Sequence, residues 1–529
     1  MIITIFDALG IQEYLFQSNK LSDNIGASFL VNLAVEIWPL EAARNVGTLN
    51  PTDGTEFQTP GMLEGGSFDI ELVYNAGGNA VFMVKDMETA KSFAQAYSLL
   101  ILEYAPGLEV ACCHHDIESH PVDIGKELME AFQKMALVKS CRIPSAPLMG
   151  MGVTQLCASG MEEPAVSDNN GRFLGPSAMA KQQNNSAAKA HLRHFIGTSL
   201  PTDCDLPDEL DLLGRSRGEK SFIGVVHVDG NGIGKTLQEL LVNDFAFEDN
   251  QKHLEAIRIL SHDINTAGSK AVRQVMAKVI DNWDHTKEKY ANSFELVIKN
   301  YQMLLPFRPL VYGGDDITFV CDGRIALDLA ATCIRAFNEA FSENNTHYAC
   351  AGVALVKSHY PFSRAYALAE ELCQNAKEMI RNVPGGALDW HIVSGGTVQT
   401  IQQLRKKEYT AYDGASLSCR PYRVLPETSR DMMDWSSFRG QLMDGRPTGL
   451  LCTLQKDEKW KKAHSRLKGL TAHLKKGVNT SRIILEKWRL DGYELPDYCT
   501  AGLSDGFFAD QSPFLDALEL LDFFVPLNE

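Results

Sequence analysis

Residues 309–320 read PLVYGGDDITFV: two short apolar runs, Leu310-Val311-Tyr312 and Ile317-Thr318-Phe319-Val320, separated by Gly313-Gly314-Asp315-Asp316. β-Branched and aromatic residues on either side of a glycine-rich turn predict two strands joined tightly. Adjacent aspartates at such a turn have an ordinary reading, a solvated hairpin tip. They have a chemical one if a third carboxylate reaches the same edge of the sheet.

The flanking sequence supplies that carboxylate. GRIALDLAATCIRAFNEAF (323–341) has apolar residues at helical spacing, and YACAGVALV (348–356) reads as a strand. Upstream, residues 222–228 read as an opening strand and 249–280 as a helix. The order is βαββαβ, the ferredoxin-like arrangement, whose antiparallel sheet sets the end of the first strand beside the central hairpin. Asp229, Asp315 and Asp316 then converge at one sheet edge.

VVHVDGNGIGKT (225–236) has a rival reading as a phosphate-binding P-loop. That loop needs four residues between its first Gly and the Gly-Lys pair, so that successive N–H groups wrap the phosphates. Asp229 occupies the position of that first Gly, and the spacing from Gly230 to Gly234 is one residue short. The P-loop is the weaker reading.

The N-terminal region repeats the design. FDALGI (6–11) and VDGNGI (228–233) share Asp-x-x-Gly-Ile, and AGGNAVF (76–82) aligns with YGGDDITF (312–319). A helical stretch (87–104) and a strand-like LEVACCHHDI (108–117) complete the unit. Agreement at the start, at the hairpin and in element order argues for two related domains. In this alignment Asn79 and Ala80 stand where the second copy has Asp315 and Asp316. The first copy is expected to be a degenerate partner that keeps Asp7 but lacks the hairpin carboxylates.

Three carboxylates at one edge suit nucleotidyl transfer. Two Mg²⁺ ions about 3.5–4 Å apart can hold the attacking and leaving oxygens together. Mg²⁺ prefers oxygen ligands and keeps waters, so Asp229, Asp315 and Asp316 suffice, with the carbonyl of Gly230 as a further ligand. Gly313 and Gly314, and Gly77 and Gly78 in the first copy, let a triphosphate approach the main chain. Lys235, at the start of a helix, and Lys377, near the end of one, are candidates for the triphosphate. A lone lysine is more often a surface charge.

The chain has 529 residues, 45% apolar and 22% charged, an ordinary composition for a soluble globular protein of several domains. No apolar run of about 18 residues or more and no signal peptide is read, and the expected location is cytoplasmic. The 12 cysteines are scattered without a CxxC spacing, so reduced thiols and no structural zinc are expected. A net charge of −17 argues against a nucleic-acid coat over the whole surface. Residues 456–489 nevertheless hold 11 Lys/Arg against 3 Asp/Glu. That basic run is either a solvated face or a contact for RNA or a protein activator.

VDGNGIGK, RPLVYGGDDITFV and YACAGVALVKSHYPFSRAYALAEELCQNAK (348–377), with GIQEYLFQSNKLSDNIGASFL (10–30) and AGGNAVF, resemble the large polymerase-cyclase subunit of type III CRISPR complexes. The resemblance is specific over about half the chain. It implies an α+β chain with two ferredoxin-like palm domains, a helical bridge and a helical C-terminal domain. It also implies conversion of ATP, with Mg²⁺ or Mn²⁺, into cyclic or linear oligoadenylate messengers in antiviral defence. Asp229, Asp315 and Asp316 would carry the metals, Lys377 would help hold the triphosphate, and Ser28 would contact a nucleotide on the first palm.

There are departures from that family's pattern. The chain opens directly on the first palm, so the HD nuclease domain is expected to be absent, and His114, His115 and Asp116 do not replace it. The zinc cysteines between the palms are reduced to Cys157. Asn231 stands where many members have a second Asp. A standalone or reduced cyclase is therefore weighed beside membership of an RNA-guided complex, and a silent nucleotide-binding sensor or scaffold subunit is the alternative function. The expected division is a first palm at 1–120, a helical bridge with polar flexible stretches and a zinc-site remnant at 121–220, a catalytic palm at 221–395 and a helical domain at 396–529.

Overall fold

The structure, a computed structural model, describes residues 1–50, 61–118, 122–142, 157, 166–167, 171–197, 200–213, 222–242, 250–284, 289–290, 294–341, 347–381, 383–393, 395, 400–426, 433–493, 506–508 and 510–528. Two sheets of one design organise them. The first contains β1 (Ile2–Leu9), β2 (Ile70–Ala76), β3 (Asn79–Val84) and β4 (Glu109–Asp116), in the order β2-β3-β1-β4 with every neighbouring pair antiparallel. Between β1 and β2 lies α1 (Leu21–Asn32), continued by a π-helical turn (Leu33–Ile37) and a further helix (Trp38–Val46). The whole stretch Leu21–Val46 is long and apolar enough to cross a membrane by length and composition, yet Ile25, Leu30, Ala34, Trp38 and Ala42 are buried in the palm core.

Helix α2 (Met87–Tyr104) follows β3, started by the Asp86 side chain accepting from the Thr89 N–H. It packs Phe93 and Tyr97 against Phe6 on one face of the sheet. Helix α3 (Ile124–Cys141), capped in the same way by Asp123, buries Ile124, Leu128, Ala131 and Met135 with Ile3 and Ile5 on the opposite face. The expected bridge contains α4 (Pro176–Gln183) and α5 (Asn185–Ile196). Within this bridge, where polar flexible stretches were expected, the polar run 182–194 is largely helical: Ala188 and Leu192 are buried, and Asn185 Nδ2 donates to Ser22 O at 2.8 Å. Cys157 packs with Leu174 and Ala178, and its Sγ accepts from the Gly175 N–H. Most of 143–170, and 214–221, lie outside the described residues.

The second sheet repeats the first with β5 (Phe222–Asn231), α6 (Ile233–Val242), α7 (Asn250–Asp281), β6 (Phe307–Tyr312), β7 (Asp316–Asp322), α8 (Ala326–Glu339), β8 (Tyr348–Lys357) and α9 (Phe362–Met379). Two more strands extend it, β9 (Gly386–Ile392) parallel to β8 and β10 (Tyr422–Leu425) antiparallel to β9, giving the order β6-β7-β5-β8-β9-β10. Residues 422–425, assigned from sequence to a helical C-terminal domain, therefore complete the palm sheet. Tyr422 stacks on Trp390 at 5.3 Å, an apolar contact that a four-residue run does not announce.

The C-terminal region includes α10 (His464–Leu474), α11 (Val478–Leu490) and α12 (Phe514–Leu520). It docks through Arg420, which bonds Asp516 at 2.9 Å with both side chains fully buried. A second anchor is Arg439, which grips Asp328 of α8, while the Leu527 N–H donates to the same carboxylate at 2.8 Å. The fold is α+β: two ferredoxin-like palms with helical regions around them.

Candidate active site

Strand β5 lies between β7 and β8, and its register with β7 makes Asp229 the direct partner of Asp316. The Gly230 N–H donates to Asp315 O at 3.1 Å, which fixes the hairpin against the end of β5. All three sequence-predicted aspartates thus meet at one edge. The strand alternation that brings Asp229 there also aligns His227, two residues earlier, on the same face. His227 is buried, with Nδ1 3.3 Å from Asp316 Oδ1 and 3.4 Å from the Tyr366 hydroxyl.

Helix α9 crosses under β5 and delivers Lys377. Its ammonium bonds Asp229 Oδ2 at 2.5 Å and the Gly230 carbonyl at 3.1 Å. Burial works against the lysine's charge, but the Asp229 carboxylate outweighs it and holds the pKa above the usual lysine range. Burial likewise works against the imidazolium of His227, and the charges of Asp316 and Asp229 reverse that into a raised pKa. Asp315 shows the opposite balance. Burial, then repulsion from Asp229, pushes its carboxyl up to about 6.

The two palms meet at their hairpins. The Gly313-Gly314-Asp315 turn faces Gly77 and Gly78 of the first palm, with Gly77 N close to Gly314. A cleft of about 570 Å³ opens between them, bordered by Gly78, Asp315 and Asp316 and by Asn32 and Glu36 from the α1 stretch. Helix α7 locks this arrangement. Its Ser261 Oγ donates to Asn75 O at 3.0 Å and Asn265 Nδ2 donates to the same carbonyl at 2.9 Å, while Gly268 lies against the Gly314 carbonyl. A Cβ on Gly268 would sit 2.1 Å from that oxygen, so only glycine admits the hairpin here.

The register corrects one sequence alignment. Asp7 pairs with Asn79 as Asp229 pairs with Asp316, and the Ala8 N–H donates to Gly78 O as the Gly230 N–H donates to Asp315 O. Gly78 and Asn79, rather than Asn79 and Ala80, are therefore the counterparts of Asp315 and Asp316. Matching the glycine pairs by eye slips the copies by one residue. The conclusion stands, since neither counterpart is a carboxylate.

Other sequence candidates are placed as follows. Lys235 lies outside the constellation: it is 79% exposed on α6 and pairs with Glu239 at 3.3 Å. The P-loop reading fails with it, because Asp229, Gly230 and Asn231 belong to β5 and only Gly232 separates strand from helix. Ser28 borders the cleft, but its hydroxyl donates to the Leu310 carbonyl and ties the palms together. Asn231 turns away from the carboxylates, its Nδ2 3.3 Å from Gly385 O.

Sequence reasoning missed Glu36, Asn265, His227 and Tyr366. His227 alone had a legible signal, its period-two spacing from Asp229. Glu36 lies in the π-helical turn, with Oε1 facing Gly313 at the cleft, and burial raises its pKa.

The residues fit a hard divalent cation. Three carboxylates share one edge, and burial, then repulsion from Asp229, raises one of them. Asp316 Oδ1 is buried, and the group it faces is the His227 imidazole, 3.3 Å away. Oxygen-only donors of this kind match Mg²⁺ or Mn²⁺ better than softer metals. The Gly230 carbonyl, which the sequence offered as an extra ligand, accepts from Lys377 instead.

Comparison with known proteins adds to this geometry. Residues 222–383 match the family model of the Cas10/Cmr2 second palm domain. Among solved structures, the Csm1–Csm4 cassette in complex with cA3 superposes with a TM-score of 0.53 at 13% identity, covering 98% of this chain and 69% of that one. The cassette in complex with cA4 gives 0.50 at 10% identity over 99% and 69%. The Csm1–Csm4 subcomplex of the type III-A CRISPR-Csm interference complex gives 0.50 at 12% identity over 98% and 70%. At such identities the likeness is one of fold. No curated protein matches the chain.

Proposed function

With residues 222–383 forming a second palm domain of the Cas10/Cmr2 family, we propose that this chain is a metal-dependent nucleotidyltransferase that joins ATP into cyclic or linear oligoadenylate. The observation that carries the reading is the meeting of Asp229, Asp315 and Asp316, with Lys377 beneath them, beside a cleft walled by both palm hairpins. Asp229, Asp315 and Asp316 would hold Mg²⁺ or Mn²⁺. When bound, the metals supply charge neutralisation on the phosphates and activation of the attacking hydroxyl.

The chain's own residues do the rest. His227 flanks Asp316, and the Tyr366 hydroxyl, 3.4 Å from the same imidazole nitrogen, holds His227 in place. Lys377, released from Asp229, neutralises triphosphate charge from the sheet side. The bare backbones of Gly313 and Gly314 admit phosphates to the main chain. The cleft has a wall from each palm, so one nucleotide can be presented to another held over the carboxylates, which turns a bimolecular encounter into an oriented one.

Adenine is favoured because the similar Csm1–Csm4 structures are described as complexes with cA3, cA4 and ATP. By the same analogy the chain would have a protein partner; a role in antiviral defence and a cytoplasmic location follow from the sequence resemblance alone. RNA or a protein activator would use the basic helices of 456–489. The test is incubation of purified protein with each labelled NTP and Mg²⁺ or Mn²⁺, with products resolved by mass spectrometry. Product that disappears in the Asp315→Ala/Asp316→Ala double variant supports the reading. Nucleotide binding without product, even with partner and RNA added, would instead identify a silent sensor.

A further inference from the structure

Helix α3, assigned from sequence to the bridge, lies across β4 of the first palm. Strand alternation turns Ala111, Cys113 and His115 of β4 toward it. Ala111 and Cys113 share a core with Ile124, Leu128, Ala131 and Met135, and the Cys113 thiol donates to the Ala131 carbonyl at 3.6 Å. Amid these apolar contacts α3 also carries a carboxylate, Glu127, whose side chain is 4% exposed. A buried carboxylate needs a charged or hydrogen-bonding partner. Glu127 has one in His115, whose Nε2 lies 2.8 Å from its Oε2.

Glu130, three residues on and so on the same side of the helix, brings Oε2 to 4.0 Å from that same Nε2. One imidazole nitrogen and two carboxylates therefore offer ligand atoms all within 4.8 Å of one another. A tetrahedral ion with bonds of about 2.0–2.2 Å sets its ligands about 3.3–3.6 Å apart. His115 and Glu127 need part only slightly, and Glu130, 45% exposed, is free enough to close the remaining gap. Its exposure also leaves one side open for entry and for a water as fourth ligand.

Charge favours a cation here. Lys126 comes no nearer than 3.9 Å to Glu130 and is 59% exposed, while Lys134 donates to the His114 carbonyl at 2.7 Å. The donor set also differs in kind from the oxygen-only edge of the second palm: imidazole with carboxylates suits Zn²⁺. Coordination through Nε2 places the neutral ring's proton on Nδ1, its ordinary alternative tautomer.

We propose that His115, Glu127 and Glu130 form a zinc site that clips α3 to β4. It is separate from Asp229, Asp315 and Asp316 and stands independently of the nucleotidyltransferase reading. The expectation of no structural zinc rested on cysteine spacing, and this set uses no cysteine.

The experiment is calorimetric titration of the full chain, stripped with EDTA and dialysed, with ZnCl₂ in a large excess of Mg²⁺ to occupy oxygen-only sites. Wild type should show a one-equivalent Zn²⁺ site that His115→Gln and Glu130→Gln each weaken at least about tenfold. Zn²⁺ should also raise the melting temperature of wild type more than that of either variant. His115→Gln keeps an amide donor for Glu127, and melts without metal check its fold; if it melts early, the exposed Glu130→Gln decides alone. Absence of a one-equivalent Zn²⁺ site in wild type, or a site that survives Glu130→Gln at wild-type affinity, would overturn the inference and leave an ordinary strand–helix ion pair.

Discussion

Asp229 and Asp316 are direct partners across adjacent antiparallel strands, although 87 positions separate them in the chain. The pairing concentrates negative charge at the sheet edge, and Lys377 compensates only part of it. Four consequences can be measured.

The two candidate lysines should separate cleanly. Lys377 touches Asp229 and the Gly230 carbonyl, whereas Lys235 pairs with Glu239 on an exposed helix. Lys377→Ala is expected to lower kcat/KM about 100-fold, in the range seen for removal of one preorganised donor. Lys235→Ala should stay within about twofold, as an exposed pair contributes little. Steady-state kinetics on both variants decides the matter, and equal losses would revive the P-loop.

Gly268→Ala tests the hairpin without touching a carboxylate. The added methyl would lie 2.1 Å from the Gly314 carbonyl, so α7 and the turn must part. Overpacking of this kind costs about 1–3 kcal/mol. A melting-temperature loss with activity falling further than stability explains is the expected result, and wild-type turnover would show that the turn tolerates displacement.

The pH dependence of stability follows from Asp315. Its carboxyl titrates at about 6 in the fold, above the ordinary carboxylate value, so the folded state binds this proton more tightly than the unfolded chain. Stability from this group therefore falls as pH rises through that window. In EDTA, Asp315→Asn should raise stability at pH 8 by on the order of 1–2 kcal/mol and by nearly nothing at about pH 3, below the carboxyl's ordinary value. Denaturant melts at both pH values give the comparison; an equal gain at both would remove the electrostatic explanation.

His227→Gln should act through Asp316. The imidazole is buried 3.3 Å from Asp316 Oδ1, and its removal frees that carboxylate to reorient. Loss of a residue supporting a metal ligand typically costs 10–100-fold in affinity, so Mn²⁺ binding followed by electron paramagnetic resonance should weaken by about that factor. Unchanged Mn²⁺ affinity would confine His227 to core packing.

The sequence alone determined what depends on short-range pattern. Alternating apolar residues around a Gly-Gly turn in 309–320, the helical spacing of 323–341 and the Asp-x-x-Gly-Ile frame at residues 7–11 and 229–233 identified both palms, and Asp229, Asp315 and Asp316 with them. These signals are local because strand, turn and helix preferences are set by neighbouring residues and by which face must be buried. Tertiary structure decided the rest. It slipped the hairpin alignment by one residue, because register is fixed by pairing with β1 and not by matching glycines. It turned Ser28 into a tie between palms, left Lys235 in solvent and brought Glu36 to the cleft. It also paired Asp7 with Lys139, 132 positions apart, as a counterpart to Asp229 and Lys377. Such contacts join residues with no periodic relation in the chain, and they exist only once sheets and helices have packed.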